Sequence, residues 1–500
     1  MSGDSRPIHL HSEYNPSREA ARFVEAQDFP FAPAIVVVTE PGESYLAGEF
    51  RSRFPLARLI AIRYQESLFR DTDRLWDAVW RPSSGMPVES FLFGLIPDEV
   101  LPMTVFLSWK PSDSIWPESA NAVWSGIAAT LRMQRSVMGT RSHFGKRWFA
   151  NMVRNAALLE RPIEPIQTRR PVLLAAAGPS LESQYPIPEN RFFVMAVSAS
   201  MASLLHHGAM PDMCVATDGG YWAKEHLRGI PENIPVAFPL EAMVPVEVLE
   251  RNPVVLLDYG SELERALLSF VGVESMRAKR NGTVSGTAAE LALSITDKNV
   301  YAAGLDLMCG PAYSHARPYS SDIRTDVGSS RVNPLSGALY ERNRDDQSLS
   351  LYASWFSSRD AFFRERFMRL EPEGRKLGGI RTVSISEAVR DCEVCASATE
   401  KRVLEESRPK TTRREEIVTW LRDCEDVLVR NSGSLSFFAL MDENPLMNEL
   451  LQTVAYGQYL KCVKANRSVG SREEKLTATA AACDDAVSAL RKNIARLVSP

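Results

Sequence analysis

The residues best able to do chemistry in this chain stand just after short apolar runs. Gly178-Pro179-Ser180 follows Val172–Ala177, and Ser198 follows Phe192–Val197. Asp218-Gly219-Gly220 follows Met213–Thr217, and Gly304-Leu-Asp306 follows Val300–Ala303. Gly178 lets a backbone come close to a ligand, Pro179 is pre-set for a first helical turn, and Ser180 adds a hydroxyl at a positive dipole end, which suits a phosphate. Thr283-Val-Ser285-Gly286-Thr287 precedes an apolar helix and offers N–H groups and hydroxyls in the same way. Asp218 offers a carboxylate to a sugar or ribose hydroxyl. His315 lies in Tyr313-Ser-His315-Ala-Arg317-Pro-Tyr319, which combines a base, a cation and two phenols. Each has a plainer reading: an ordinary tight turn, a solvated turn aspartate, a structural histidine. His9, His11, His143 and His226 sit in polar stretches and read as surface residues. His206-His207 closes a helix, where imidazolium favours the negative dipole end.

The elements that must position these residues are legible as periodicity. Ala34–Thr39, a helix through Leu46 and Phe50, and Leu59–Ile62 form a βαβ pattern without the G-x-G-x-x-G of a dinucleotide site. From Glu118 to Leu159 the pattern is helical, with Trp124, Ile127, Leu131, Trp148 and Val153 as candidate buried positions, and Arg161–Pro165 breaks it. Five continuous apolar runs then alternate with helices, the pattern of a parallel sheet covered on both faces. After about residue 400 the composition shifts to helix formers. Thr412-Arg-Arg-Glu415 reads as a capping box, opening a stripe at Ile417, Trp420, Leu421, Cys424 and Leu428. Leu476, Ala480, Cys483, Val487, Leu490, Ile494 and Leu497 form a second stripe. The expected class is α/β, with a Rossmann-like parallel sheet at the centre. The expected domains are a small α/β domain at 1–115, a helical lead-in and linker at 116–165, a central catalytic domain at 166–395, and an all-helical domain at 396–500.

The chain has 500 residues, with 58 Lys and Arg against 62 Asp and Glu, a net charge of −4 that argues against a general nucleic-acid binder. No apolar run reaches the ~20 residues of a membrane span, and Met1–Asn15 lacks a signal-peptide core, so a cytoplasmic location is expected. Seven scattered Cys imply no disulfide framework, and Cys392-Glu-Val-Cys395 has no second pair with which to hold zinc.

In order along the chain, Leu173–Leu181, Ala196-Val-Ser198-Ala199, Pro211-Asp212 through Asp218, Gly286-Thr-Ala-Ala, Ala303–Leu307 and Ser314-His315-Ala316 resemble the central domain of the motility-associated factor (Maf) proteins. Trp148-Phe149-Ala-Asn151 and Asn155 resemble that family's lead-in helix, and Tyr352 with Trp355-Phe356 its closing segment. The resemblance departs at Ala176, Ser198 and Gly219, where the family has Gly, Asn and Pro. It implies a metal-independent glycosyltransferase similar to bacterial sialyltransferases. Such an enzyme moves a nonulosonic-acid sugar from a CMP-activated donor to Ser/Thr hydroxyls of flagellin, its protein partner, with no cofactor. Carried over, Gly178, Pro179, Ser180, Ser198, Ser285 and Gly286 would contact the donor nucleotide, Asp218 and Asp306 a substrate, and His315 would be the base. Tyr313, Arg317 and Tyr319, with Lys279 and Arg280, are candidates to meet the leaving phosphate. No D-x-D motif is present, and Asp345-Asp346 is adjacent. Two alternatives stand beside this reading: a hydroxymethylpterin pyrophosphokinase, which would need Mg²⁺ and carboxylates, and a non-catalytic flagellin-binding protein.

Overall fold

A computed structural model describes residues 9–307, 315–320, 330–332, 347–371, 376–390, 392, 409–432, 436–468 and 471–498. The chain divides into two compact units, Met1–Gly145 with Glu425–Asn493, and Lys146–Cys424 with Ile494–Pro500. The helices after residue 409 are divided between the two units. Thr412 does not cap its helix, which runs Lys410–Asn431 and already includes it. Ile417, Leu421, Cys424 and Leu428 are buried as their spacing requires, whereas Leu476 is exposed.

The first unit holds a parallel sheet of β1 (Ile35–Thr39), β2 (Arg58–Ile62), β3 (Ala78–Trp80) and β4 (Thr104–Ser108), in the order β3-β2-β1-β4. β1 and β4 leave the point where strand order reverses, the usual ligand crevice of such a sheet. Here the chain's own atoms fill the turn beyond β1. The fully buried Arg63 donates from Nη1 to Glu40 Oε1 (3.1 Å) and the Gly42 carbonyl (2.7 Å), and from Nη2 to Ser44 Oγ (3.0 Å). His11 is no free surface residue. Its Nε2 accepts the Glu43 N–H at 3.0 Å, and its ring packs against Tyr45 and Trp109.

The second unit is built on nine parallel strands: β5 (Val172–Ala175), β6 (Phe193–Val197), β7 (Met213–Val215), β8 (Val236–Pro239), β9 (Val254–Asp258), β10 (Met276–Arg277), β11 (Val300–Ala303), β12 (Phe367–Leu370) and β13 (Arg381–Val383). Their order is β10-β9-β8-β7-β6-β5-β11-β12-β13. The five strands read from the sequence are present, and four more join them. β8 is bounded by Pro235 and ends in Pro239, which disguises it as a loop. β10 has two residues, and β13 has three, of which two are exposed. β5, β6, β7, β8 and β11 are buried along their whole length, as expected of a sheet with both faces covered. Pairing in register (Val172 with Phe193 and with Val300) brings the ends of β5, β6 and β11 level.

Candidate functional site

In the second unit the chain winds outward from β5 through β10, then returns to place β11 on the other side of β5. The order reverses between β5 and β11, so a crevice belongs beyond their carboxyl ends. Gly178 and Asp306 meet there. The Gly178 N–H donates to the Gly304 carbonyl at 2.7 Å, and a Cβ on Gly178 would lie 2.4 Å from both that oxygen and Asp306 Oδ2. Only glycine allows this approach. Asp306, 2% exposed, accepts the Ser180 N–H at 2.8 Å and the Ser180 hydroxyl at 2.5 Å. Their polar groups are turned on each other and clamp the turn. The buried Arg369 lies beside Asp306, and burial holds its guanidinium down to about 10 while the Asp306 charge opposes that shift. Pro179 opens the short 3-10 helix Pro179–Gln184. Ser198 opens another after β6 and is buried, while its neighbour Ser200 bonds the Ala175 carbonyl.

His315 comes to the same end of the sheet. The N–H of the next residue, Ala316, donates to the Ala177 carbonyl at 2.8 Å, which ties the loop to the Gly178 turn. Two further bonds hold that loop: the Arg317 N–H to Glu182 Oε1 at 2.8 Å, and Ser203 Oγ to the Arg317 carbonyl at 2.9 Å. His315 is half-buried and stacks on Tyr319 with ring centroids 4.0 Å apart and planes 2° apart. The other side of this arrangement was not legible in the sequence. His226 packs against Tyr319 at 5.3 Å, so the phenol contacts both imidazoles. Burial holds His226 below its ordinary value, against the opposing pull of Asp218 and Glu225. His226 is therefore no surface residue. It belongs to the 3-10 helix Tyr221–His226, which the Gly219-Gly220 turn launches. Tyr313, named with this loop, lies outside the described residues, as do Cys309, Cys395, Asp345 and Asp346.

Asp218 is exposed, and its Oδ1 accepts the Gly220 N–H at 2.7 Å. Gly219 is required by contact, since a Cβ there would lie 2.5 Å from Trp148 Cδ1 and 2.9 Å from the Glu241 carbonyl. The helix Pro117–Leu158 supplies Asn151 and Asn155 as clasps. Asn151 Nδ2 donates to the Gly219 and Glu241 carbonyls, and Asn155 Nδ2 to those of Leu240 and Ala242 at 2.8 Å. Arg280, a candidate for a leaving phosphate, is engaged by the buried Glu241 carboxylate and lies 5.3 Å from the Trp148 and Tyr259 ring centroids. Lys279 approaches Glu290 at 3.7 Å. Beneath them Glu264 accepts the Leu240 and Tyr259 N–H groups, and burial pushes it up to about 8.

The second hydroxyl-rich turn also takes the form of a helix start. Thr283 caps the helix Val284–Ile295, its Oγ1 accepting the Gly286 N–H at 2.8 Å. Ser285 is half-buried on the first turn, and a Cβ on Gly286 would lie 3.0 Å from Asn281 Cβ and 3.1 Å from Thr283 Oγ1. The structure thus gathers Gly178, Pro179, Ser180, Asp306 and His315 around adjacent strand ends. Asp218 approaches through His226, and the helix that Ser285 and Gly286 open packs against β5, β6 and β11. His206 ends the helix Met201–His206, and His207 stacks on Tyr185 at 4.1 Å. Among the described residues no group of three or more His, Cys, Asp or Glu converges as a metal site would, and no helix is long and apolar enough to cross a membrane.

Residues 146–310 match the family model described as 6-hydroxymethylpterin diphosphokinase MptE-like. Among solved structures, the MAf glycosyltransferase from Magnetospirillum magneticum AMB-1 aligns over 98% of this chain and 85% of its own, at 12% identity and a TM-score of 0.49. An uncharacterized protein of Treponema pallidum (strain Nichols) is 38% identical over 300 residues, which are 60% of this chain and 67% of that protein. At that identity and coverage, the chain belongs to one family with the Treponema pallidum protein, and carries the MptE-like region within its nine-stranded unit.

Proposed function

We propose that this chain is a cytoplasmic, metal-independent glycosyltransferase of the Maf kind. It would move a nonulosonic-acid sugar from a CMP-activated donor to Ser/Thr hydroxyls of flagellin. The observation that carries the reading is the tie between Ala316 and Ala177, which sets His315 beside the Gly178–Ser180 turn at the point where strand order reverses. His315 takes the proton of the acceptor hydroxyl while its oxygen bonds the anomeric carbon. The bond from that carbon to the donor phosphate breaks, and CMP leaves with the electron pair. A positioned base of this sort contributes about 10²–10⁴-fold to rate. Tyr319 holds the His315 ring in place by stacking. The exposed Arg317 and the hydroxyl of Ser285 are the groups offered to the leaving phosphate, a charge-stabilising role that needs no metal.

The test is transfer of sugar to flagellin, read by intact mass. His315→Ala is expected to stay folded, to keep its stabilisation by CMP, and to lose transfer by at least a hundredfold. Transfer within a few-fold of the parent chain would overturn the assignment of the base. The match of residues 146–310 to the MptE-like model favours a second reading, an ATP-dependent diphosphotransferase. A ligand that binds only the folded chain raises its melting temperature. Stabilisation by ATP with Mg²⁺ and none by cytidine nucleotides would decide for that second reading.

A further inference from the structure

A cavity of about 760 Å³ opens beside the Tyr221–His226 helix, which lends it Tyr221 and Lys224. Neither Gly178 nor His315 lines it. Its walls carry Leu227, Ile230, Val244 and Val248, four cations (Arg154, Lys224, Arg228 and Arg251) and two carboxylates (Glu232 and Glu247). Two of the cations are matched by carboxylates, Arg228 by Glu225 at 3.1 Å and Arg251 by Glu232 at 3.3 Å. Among the described residues, no carboxylate forms an ion pair with Arg154 or Lys224. Arg154 is half-buried, and its guanidinium spends its hydrogen bonds on neutral groups: Asn155 Oδ1 (2.9 Å), the Val244 carbonyl (2.8 Å) and Met243 Sδ (3.4 Å). Lys224 is half-buried too, with its Nζ 3.9 Å from the Tyr221 ring centroid. A half-buried cation without a counter-charge costs folding free energy, and an anion in the cavity offsets that cost. The volume lies within the usual range for small-molecule sites.

The geometry points to a second binding site here, for a monosaccharide-sized molecule carrying a single carboxylate or phosphate that Arg154 and Lys224 bind together. The site stands apart from the transferase reading, because its residues are distinct from the strand-end crevice. It also adjoins that crevice, since the Met243 N–H donates to the Asp218 carbonyl at 2.9 Å and the Tyr221–His226 helix is shared.

Calorimetric titration of the full chain with glucose 6-phosphate, glucuronate and glucose tests it. These probes share a ring and differ in the charged group. One of the two anions is expected to bind saturably and glucose not to bind, which also tells phosphate from carboxylate. Arg154→Gln and Lys224→Gln should each weaken that binding by tenfold or more, while His315→Ala binds as the parent does. Lys224→Gln keeps the test open if Arg154→Gln fails to fold, because Lys224 holds no backbone group. Absence of saturable binding by either anion, equal binding of glucose, or binding indifferent to Lys224→Gln overturns the site.

Discussion

Removing the Ser180 hydroxyl should cost stability before it costs ligand binding. In Ser180→Ala, Asp306 Oδ1 loses a donor at 2.5 Å inside a site where both residues are at most 2% exposed. Hydrogen bonds to charged groups contribute ~1.5–3 kcal/mol, so the loss should be about 2 kcal/mol. Asp306→Ala is more severe. It strands the Ser180 N–H and hydroxyl in the interior, and each buried donor left unpaired costs ~1–3 kcal/mol. Because the two side chains act on each other, Ser180→Ala should cost little in the Asp306→Ala background, giving a coupling of ~1–2 kcal/mol. Urea unfolding followed by tryptophan fluorescence measures all four chains. With a slope of ~2 kcal/mol per molar urea, 2 kcal/mol moves the midpoint by ~1 M. Equal slopes must be verified first, since a chain of two compact units can unfold in stages. A Ser180→Ala midpoint within 0.2 M of the parent, together with loss of stabilisation by CMP, would refute the clamp and make the hydroxyl a ligand contact after all.

Gly219→Ala should lower the melting temperature by several degrees. Its methyl group would lie 2.5 Å from Trp148 and 2.9 Å from the Glu241 carbonyl, and forced overpacking costs ~1–3 kcal/mol; Gly208→Ala, with open space at its Cβ but a φ of +77°, gives the backbone-strain comparison. His226 supplies a pH signature. Its folded value lies below the ordinary 6.5, so the unfolded chain takes up the proton first on acidification. The contribution is fully present above about 6.5 and is lost as pH falls through the folded value, so His226→Gln should flatten the acid limb of a melting-temperature profile. An unchanged acid limb in His226→Gln would show that His226 is not the group responsible.

Much of the fold was legible because burial on both faces of a parallel sheet leaves long apolar runs. Ile35–Thr39, Val172–Ala175 and Val300–Ala303 declare themselves in this way, and each glycine-bearing turn follows such a run. The sequence could also place His315 after a strand, since that requires only local order. It could not determine strand order. β11 returns to the side of β5 through contacts between residues more than a hundred positions apart, and that return alone brings Asp306 to Ser180. Nor could it distinguish His226 from His143. A helix of six residues with no apolar stripe carries no periodic signal, so the burial of His226, with its ring against Tyr319, shows only in the tertiary packing. Charge compensation is hidden for the same reason. Arg280 and Arg154 are alike as letters, yet the fold gives one the Glu241 carboxylate and leaves the other with neutral partners. Residue type and spacing determined which groups this chain could use; the long-range pairing of strands decided which of them meet.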